Sequence, residues 1–282
     1  MHRKIHFASP IKSCWPREAF ALAIVSSVLF TGCDSTQRWQ SSPLASVRVA
    51  SPNWGERRFS LIVLHHTGES SFSRALSTLT DPKSGVSAHY LISRSGDIAQ
   101  LVNERDRAWH AGASHWGPID DVNSVSLGIE LDNNGEEPFT DAQINALLRL
   151  LGDVTTRYGI DPRNVIGHAD VAPMRKADPS RYFPWAILAQ HGFGLWCDPS
   201  ARTELEAATE PLDESTLLRL IGYQVSSEKE LAAARHAFKL HFVSLDDSEP
   251  LNFEQRTMLA CIARAASRTP PRPMPANSQQ EQ

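Results

Sequence analysis

The chain has 282 residues, 41% of them hydrophobic and 21% charged, so a buried core is within reach and global disorder is excluded. Lys and Arg number 28 against 32 Asp and Glu, and a net charge of −4 argues against a nucleic-acid partner or a polybasic membrane surface. The four Cys (Cys14, Cys33, Cys197 and Cys261) have no CxxC spacing, which speaks against a disulfide-rich scaffold and a structural zinc finger.

The N-terminus reads as a targeting segment. Arg3, Lys4, Lys12 and Arg17 form a positive leader, and 15 uncharged, mostly apolar residues lie between Glu18 and Asp34. A membrane-spanning helix needs ~20 such residues. A secretory apolar region needs only ~7–15, with small residues at the cleavage point. The run ends Leu29-Phe30-Thr31-Gly32-Cys33, which resembles a bacterial lipobox, with Phe30 where Leu is usual. Residues 1–32 therefore read as a lipoprotein signal peptide and Cys33 as the lipidation site; a plain signal peptide with an incidental Cys is the alternative. Residues 33–56, rich in Ser, Gln, Pro and Asn and without periodicity, read as a tether.

The continuous apolar run LIVLHH (61–66) predicts a strand buried on both faces. Residues 72–79 predict a short helix. Residues 87–102 predict a hairpin turning at Ser95-Gly96-Asp97. VSLGIEL (125–131) is a second buried strand. Thr140-x-x-Gln143 forms a capping box, Ile144, Leu147, Leu148, Leu151, Val154 and Tyr158 follow at helical spacing, and Gly159 ends the helix. NVIGH (164–168) predicts a short strand, and 184–191 a short helix opened by Pro184. This alternation gives an α/β domain over 57–200, a mixed central sheet flanked by helices. Three helical patterns follow, at 214–222, 227–243 and 252–266, the middle one opened by Ser227-x-x-Glu230. They predict a small three-helix module over 211–266 which, at about 55 residues, is marginal alone. Residues 267–282 read as a disordered tail.

The polar residues at strand ends carry the chemistry. His65 and His66 close the first strand, and His168 closes the last. Asp178 follows within Arg175-Lys176-Ala177-Asp178-Pro179. Glu130 sits inside an apolar strand, where a carboxylate is costly unless it faces a polar site. Two imidazoles and one carboxylate are a common catalytic zinc set with a fourth position for water. A Glu outside that set fits the general base, and a nearby Lys fits an oxyanion donor. The plainer alternatives are hydrogen-bonded structural His residues and a solvated Lys–Asp pair. No HExxH motif decides between them.

Seven blocks occur in order over roughly residues 52–198: LIVLHHT, VSAHYLISRSGDIAQLV, RAWHAGASHW, NSVSLGIELDN, DAQINALLRLL, VIGHADVAP and RKADPSRYFPW. Together they resemble the zinc-dependent N-acetylmuramoyl-L-alanine amidases of the type-2 amidase family, and the whole layout is similar to its lipoprotein members. The resemblance implies a type-2 amidase or peptidoglycan-recognition-like fold, with 211–266 as a peptidoglycan-binding-like module. It implies hydrolysis of the amide between N-acetylmuramic acid, or its 1,6-anhydro form, and L-alanine. It assigns one Zn²⁺ per chain to His65, His168 and Asp178, with His66 at a position where the family varies. It gives Glu130 the catalytic-base position and Lys176 the oxyanion-stabilising one.

Phage-type members carry a Tyr where this chain has Ala88, so that Tyr's role is absent and Glu130 gains weight. Retention of Asp178 favours an enzyme over the amidase-negative recognition proteins. His89, Trp109, His110 and Asn123 lie in family blocks near the groove and are candidates for substrate contact, with buried-core and turn roles as alternatives. The implied partners are peptidoglycan, muropeptides and, through Cys33, a membrane; a monomer without nucleic acid is expected. The implied location is the periplasmic face of the outer membrane, with Asp34 leaving the inner membrane open. The rivals are a non-catalytic wall-binding lipoprotein and a cytoplasmic recycling amidase, which the leader opposes. Once the leader is removed and Cys33 lipidated, Cys197 and Cys261 remain. Two free buried thiols are expected of them, with a disulfide in the oxidising periplasm as the alternative.

Overall fold

A computed structural model of the chain describes residues 59–197 and 213–268. The expected signal peptide, Cys33, the tether over 33–56 and all of the tail but residues 267 and 268 lie outside the described residues. Among those described, no helix is long and apolar enough to cross a membrane.

Five strands form one mixed sheet: β1 (Leu61–His66), β2 (Tyr90–Ile92), β3 (Ile98–Gln100), β4 (Ser126–Leu131) and β5 (Val165–Gly167). Their order is β3-β2-β4-β1-β5, and every pair is parallel except the β2–β3 hairpin. The unbroken apolar run of β1 is explained by its place between β4 and β5, with both faces covered. Around the sheet lie α1 (Phe72–Thr80), the single turns α2 (Val122–Val125) and α4 (His168–Val171), α3 (Asp141–Tyr158) and α5 (Trp185–Gln190).

Alternation along the strands sends side chains to two cores. Ile62, Leu64, Leu127, Ile129 and Leu131 pack with Ile144, Leu147, Leu151 and Val154 of α3. That helix begins as expected, with Thr140 Oγ1 accepting the Gln143 N–H, and ends at Gly159 in the left-handed region at φ 63°. The capping box does not close. Gln143 is buried and donates instead to Ile92 O and Asp132 O, tying α3 to the ends of β2 and β4.

The opposite core joins Leu61 and Val63 of β1 and Ile166 of β5 to the C-terminal helices α6 (Glu214–Ile221), α7 (Glu228–Phe238) and α8 (Phe253–Ser267). Leu218, Phe238 and Ile262, none more than marginally exposed, are their contribution. The helices whose own core is marginal thus complete the sheet's, which answers their small size. Beyond α7 the expected long helix widens into a π turn over Lys239–Val243.

Cys197 and Cys261 form a disulfide, with Cα atoms 5.6 Å apart. This corrects the expectation of two free thiols. Cys261 does occupy a core position of α8, as its helical spacing indicates. That face packs on the segment ending the α/β domain, so both Cys are 4% exposed and adjacent.

Candidate metal centre

Parallel strands end on the same edge, and ligands of open α/β sheets gather at that carboxyl edge. His65 lies at the end of β1 opposite Glu130 of β4, and His168 directly follows β5. The Asp178 loop is joined to them by a main-chain bond from Ala169 N–H to Asp178 O, 2.7 Å. As a result His65 Nδ1, His168 Nδ1 and Asp178 Oδ2 form a triangle with sides of 3.0, 3.1 and 3.0 Å. Tetrahedral zinc with ligands at ~2.0–2.1 Å has edges of about 3.3 Å. The triangle is therefore close to one face of such a site.

The protons around this triangle can be placed. Ser126 Oγ–H donates to Val122 O at 2.6 Å, so Oγ is the acceptor for His110 Nε2–H at 3.2 Å. Burial, followed by the neighbouring His65 and His89, holds the His110 ring well below its ordinary pKa, so it is neutral and its Nδ1 is an acceptor. His65 Nε2–H donates to it at 3.1 Å. Burial and the adjacent His168 lower His65 to about 4, so this ring too is neutral and its Nδ1 carries a bare lone pair. For His168, Nε2–H donates to the Ala111 carbonyl at 3.1 Å, which turns Nδ1 toward His65 and Asp178. Two imidazole nitrogens and a carboxylate oxygen then converge on one point. A shared proton would bridge two of these atoms; a metal ion meets all three. The donor set and its outward hydrogen bonds to a carbonyl and a second ring fit a metal-binding His pair.

These atoms open on a cleft of about 280 Å³, also lined by Glu130 and Lys176. Burial, then the charge of Asp178, raises Glu130 to about 8, with Lys176 opposing. Glu130 Oε2 is buried and has no hydrogen-bond partner among the described residues, an expensive state for an idle carboxylate. Lys176 is exposed on the rim. His66 also borders the cleft but stands outside the triangle, its Nδ1 accepting the Ser180 N–H at 3.3 Å.

The four residues read as candidate substrate contacts separate. His89 is fully buried, its Nδ1 accepting the Gly128 N–H and its Nε2 donating to Asp106 O, and it does not line the cleft. Asn123 is buried as well, and its Oδ1 accepts the N–H groups of His110 and Ala111, a turn-shaping role. His110 borders the cleft but spends both ring nitrogens on His65 and Ser126. Trp109 is 56% exposed, and its N–H donates to Oγ of the cleft residue Ser87.

Two site residues escaped the sequence reading. Ser126 orients His110, and Gly128 leaves room for it, since a Cβ at that position would sit 2.3 Å from the imidazole Cγ. With Glu130 they occupy alternate positions of β4. The signal was there: three non-apolar residues at period two in an otherwise apolar strand.

Comparison with known proteins agrees with this geometry. Residues 55–181 match the Amidase_2 family, described as N-acetylmuramoyl-L-alanine amidase. The chain is 36% identical over 255 residues to N-acetylmuramoyl-L-alanine amidase AmiD of Escherichia coli K12, covering 79% of this chain and 89% of that protein. Over 101 residues it is 46% identical to 1,6-anhydro-N-acetylmuramyl-L-alanine amidase AmpD of Haemophilus influenzae, covering 36% and 55% of the two chains. The solved structure of E. coli AmiD with the substrate anhydro-N-acetylmuramic acid-L-Ala-D-gamma-Glu-L-Lys matches with a TM-score of 0.67 at 36% identity, covering 76% of this chain and 92% of that one. AmpDh3 from Pseudomonas aeruginosa matches with a TM-score of 0.67 at 32% identity, covering 80% and 98%. Likeness over nearly the whole length of AmiD and AmpDh3, on the same fold, makes this chain a member of the type-2 N-acetylmuramoyl-L-alanine amidase family.

Proposed function

We propose that the chain hydrolyses the amide between N-acetylmuramic acid, or its 1,6-anhydro form, and L-alanine in peptidoglycan and muropeptides, using Zn²⁺ held by His65, His168 and Asp178. The observation that carries this reading is the convergence of three donor atoms in one cleft, beside a buried carboxylate oxygen without a partner among the described residues. Two imidazole nitrogens in the set favour zinc over Mg²⁺ or Ca²⁺, which take oxygen. When bound, the metal supplies Lewis-acid activation of water and of the scissile carbonyl. Glu130 takes the proton of the attacking water on its free oxygen and returns it to the leaving amine, which departs poorly until protonated. Lys176 presents an ammonium to the oxyanion that forms. Ser126 and His110 keep the His65 proton on Nε2, away from the ligand atom.

The same proposal covers where the protein works. The apolar run ending at Cys33 supports a lipid-anchored protein on the periplasmic face of a membrane. All proposed site residues come from one chain, so a monomer suffices.

The test is release of stem peptide from intact sacculi and from soluble anhydro-muropeptide, with and without chelator. Both substrates should be cut, and chelation should abolish cutting. Glu130→Gln should keep its metal and lose ~10²–10⁴-fold in turnover. Lys176→Ala should lose about 10²–10³-fold. Absence of hydrolysis by zinc-loaded protein, or hydrolysis indifferent to chelator, overturns the proposal.

A further inference from the structure

One buried polar cluster lies behind the metal centre and belongs half to each part of the fold. Asp170, two residues after His168, is 1% exposed. Its Oδ2 accepts the N–H of Gly167, the residue immediately before His168, at 2.7 Å. On the other side of the ligand, Ala169 N–H is fixed to Asp178 O. The main chain of His168 is thus gripped from both flanks, and one grip is the Asp170 carboxylate.

That carboxylate is in turn held by the C-terminal helices. Tyr223 Oη–H donates to Oδ1 at 2.6 Å, and His241 Nδ1–H donates to Oδ2 at 2.8 Å. Both donors are themselves fixed. Tyr223 follows Gly222, whose carbonyl accepts the Gly117 N–H at 2.8 Å and whose missing Cβ leaves room for the Trp116 ring. His241 projects from the π turn after α7 and stacks on Trp185 with ring centroids 3.7 Å apart. Such a turn re-aims a side chain out of helical register.

The choice of residue types is informative. His241 Nε2 is buried without a hydrogen-bond partner among the described residues. A Phe there would stack on Trp185 without stranding a nitrogen, so packing does not explain a His. What the imidazole adds is the Nδ1–H that reaches Asp170. Tyr223 repeats the pattern: a Phe would fill the same space, and the hydroxyl adds only the bond to Asp170. Two costly polar groups from the helices are spent on one carboxylate beside a metal ligand.

We infer that the C-terminal helices position the metal centre: Tyr223 and His241 hold the Asp170 carboxylate that fixes the turn carrying His168. Left with Gly167 N–H alone, a buried carboxylate rotates toward other partners, and the His168 turn loosens with it. The helices then have a task besides any contact with the cell wall. Tyr223, His241 and Asp170 are positioning residues; all three are buried and none lines the cleft. The inference rests on the reading of His168 as a zinc ligand.

The test uses the full chain. Zinc affinity is measured by competition with a chromogenic chelator, ligand geometry by the visible spectrum of the Co²⁺-loaded protein, and stability by thermal melting. Tyr223→Phe and His241→Phe should each lower zinc affinity ~10–100-fold, the usual loss when a group orienting a ligand is removed, and should shift the cobalt spectrum. His241→Asn, whose amide can reproduce the Nδ1–H donor, should recover most of the affinity. Ile262→Ala, in the same core but on α8, away from Tyr223 and His241, should lower the melting temperature and leave the affinity of the folded protein unchanged. Wild-type affinity and an unshifted spectrum in both Phe variants overturn the inference, whatever their melting temperatures. Wild-type protein that binds no zinc overturns the ligand reading itself, and the inference with it.

Discussion

Opening the bond between Cys197 and Cys261 should lower the melting temperature by about 10 °C. The two residues are 64 apart in sequence. In the chain-entropy relation a loop of that length restricts the unfolded chain by about 4 kcal/mol at 25 °C. For a fold of roughly 200 residues, 1 kcal/mol moves the melting temperature by about 2–4 °C. The bond joins the end of the α/β domain to α8, so its loss also releases helices that rely on the sheet for their core. The measurement is thermal unfolding by circular dichroism with and without a phosphine reductant, which, unlike a dithiol, does not compete for zinc. Thiol titration of the unfolded protein before and after treatment confirms the redox state. A Cys197→Ala, Cys261→Ala double variant should reproduce the shift and be blind to reductant. Two free thiols before any reduction, or a melting temperature that moves by less than about 2 °C after complete reduction, would refute the reasoning.

His65→Ala and His168→Ala should each abolish stoichiometric zinc in the purified protein; full metal content in both variants would remove them from the ligand set. Ser126→Ala strips His110 of the acceptor that sets its tautomer, which frees the proton to move to Nδ1 and on to the ligand side of His65. Zinc affinity should fall ~10–100-fold, as read by chelator competition, and an unchanged constant speaks against the proton assignment. Arg157, with Tyr158 and Tyr90, holds Glu104 at about 2 against an ordinary 4.5. A depressed carboxyl stabilises the fold fully above its unfolded pKa and loses that contribution as pH falls toward the folded value. The urea midpoint of wild type should therefore exceed that of Glu104→Gln at neutral pH and converge on it between about pH 4.5 and 2; a gap constant with pH counts against the ion pair. Finally, Cys33→Ser should release the protein from the membrane fraction or block its maturation, since stable attachment needs two acyl chains or more. Normal processing and continued membrane binding of that variant would end the lipobox reading.

Much of the fold was legible because its signals are local. The apolar runs of β1 and β4, the hairpin turn at Ser95-Gly96-Asp97 and the Thr140 cap of α3 are each read within a dozen residues. The metal centre is different. His65 and Asp178 are 113 positions apart, so no spacing rule connects them, and only the family resemblance brought them together. What neither route supplied depends on contacts between distant segments whose members look ordinary one at a time. Cys261 reads as a core thiol of an amphipathic helix until Cys197 is brought against it. The helical module reads as a separate body until Leu218 and Phe238 are found in one core with Val63. His241 reads as one more polar residue of a helix until the π turn aims it at Asp170. His89 and Asn123 show the complementary point: both are buried with main-chain partners, and a family block marks proximity to a groove without separating the residues that shape it from those that meet what enters.

The alternation along β4 has a consequence for how this sequence can change. Ser126, Gly128 and Glu130 point to one side, where they anchor a ring, make room for it and offer a carboxylate. Leu127, Ile129 and Leu131 point to the other, into a core with no measurable exposure. Exchange of any one of the six leaves the facing of the other five as it is. A single inserted or deleted codon between Ser126 and Glu130 does something else: it turns part of the strand over, sending leucine and isoleucine toward the cleft and a carboxylate into the apolar layer. Point substitution and length change are thus unequal routes for this segment's evolution. Natural variants of the strand should differ in residue identity and share one length.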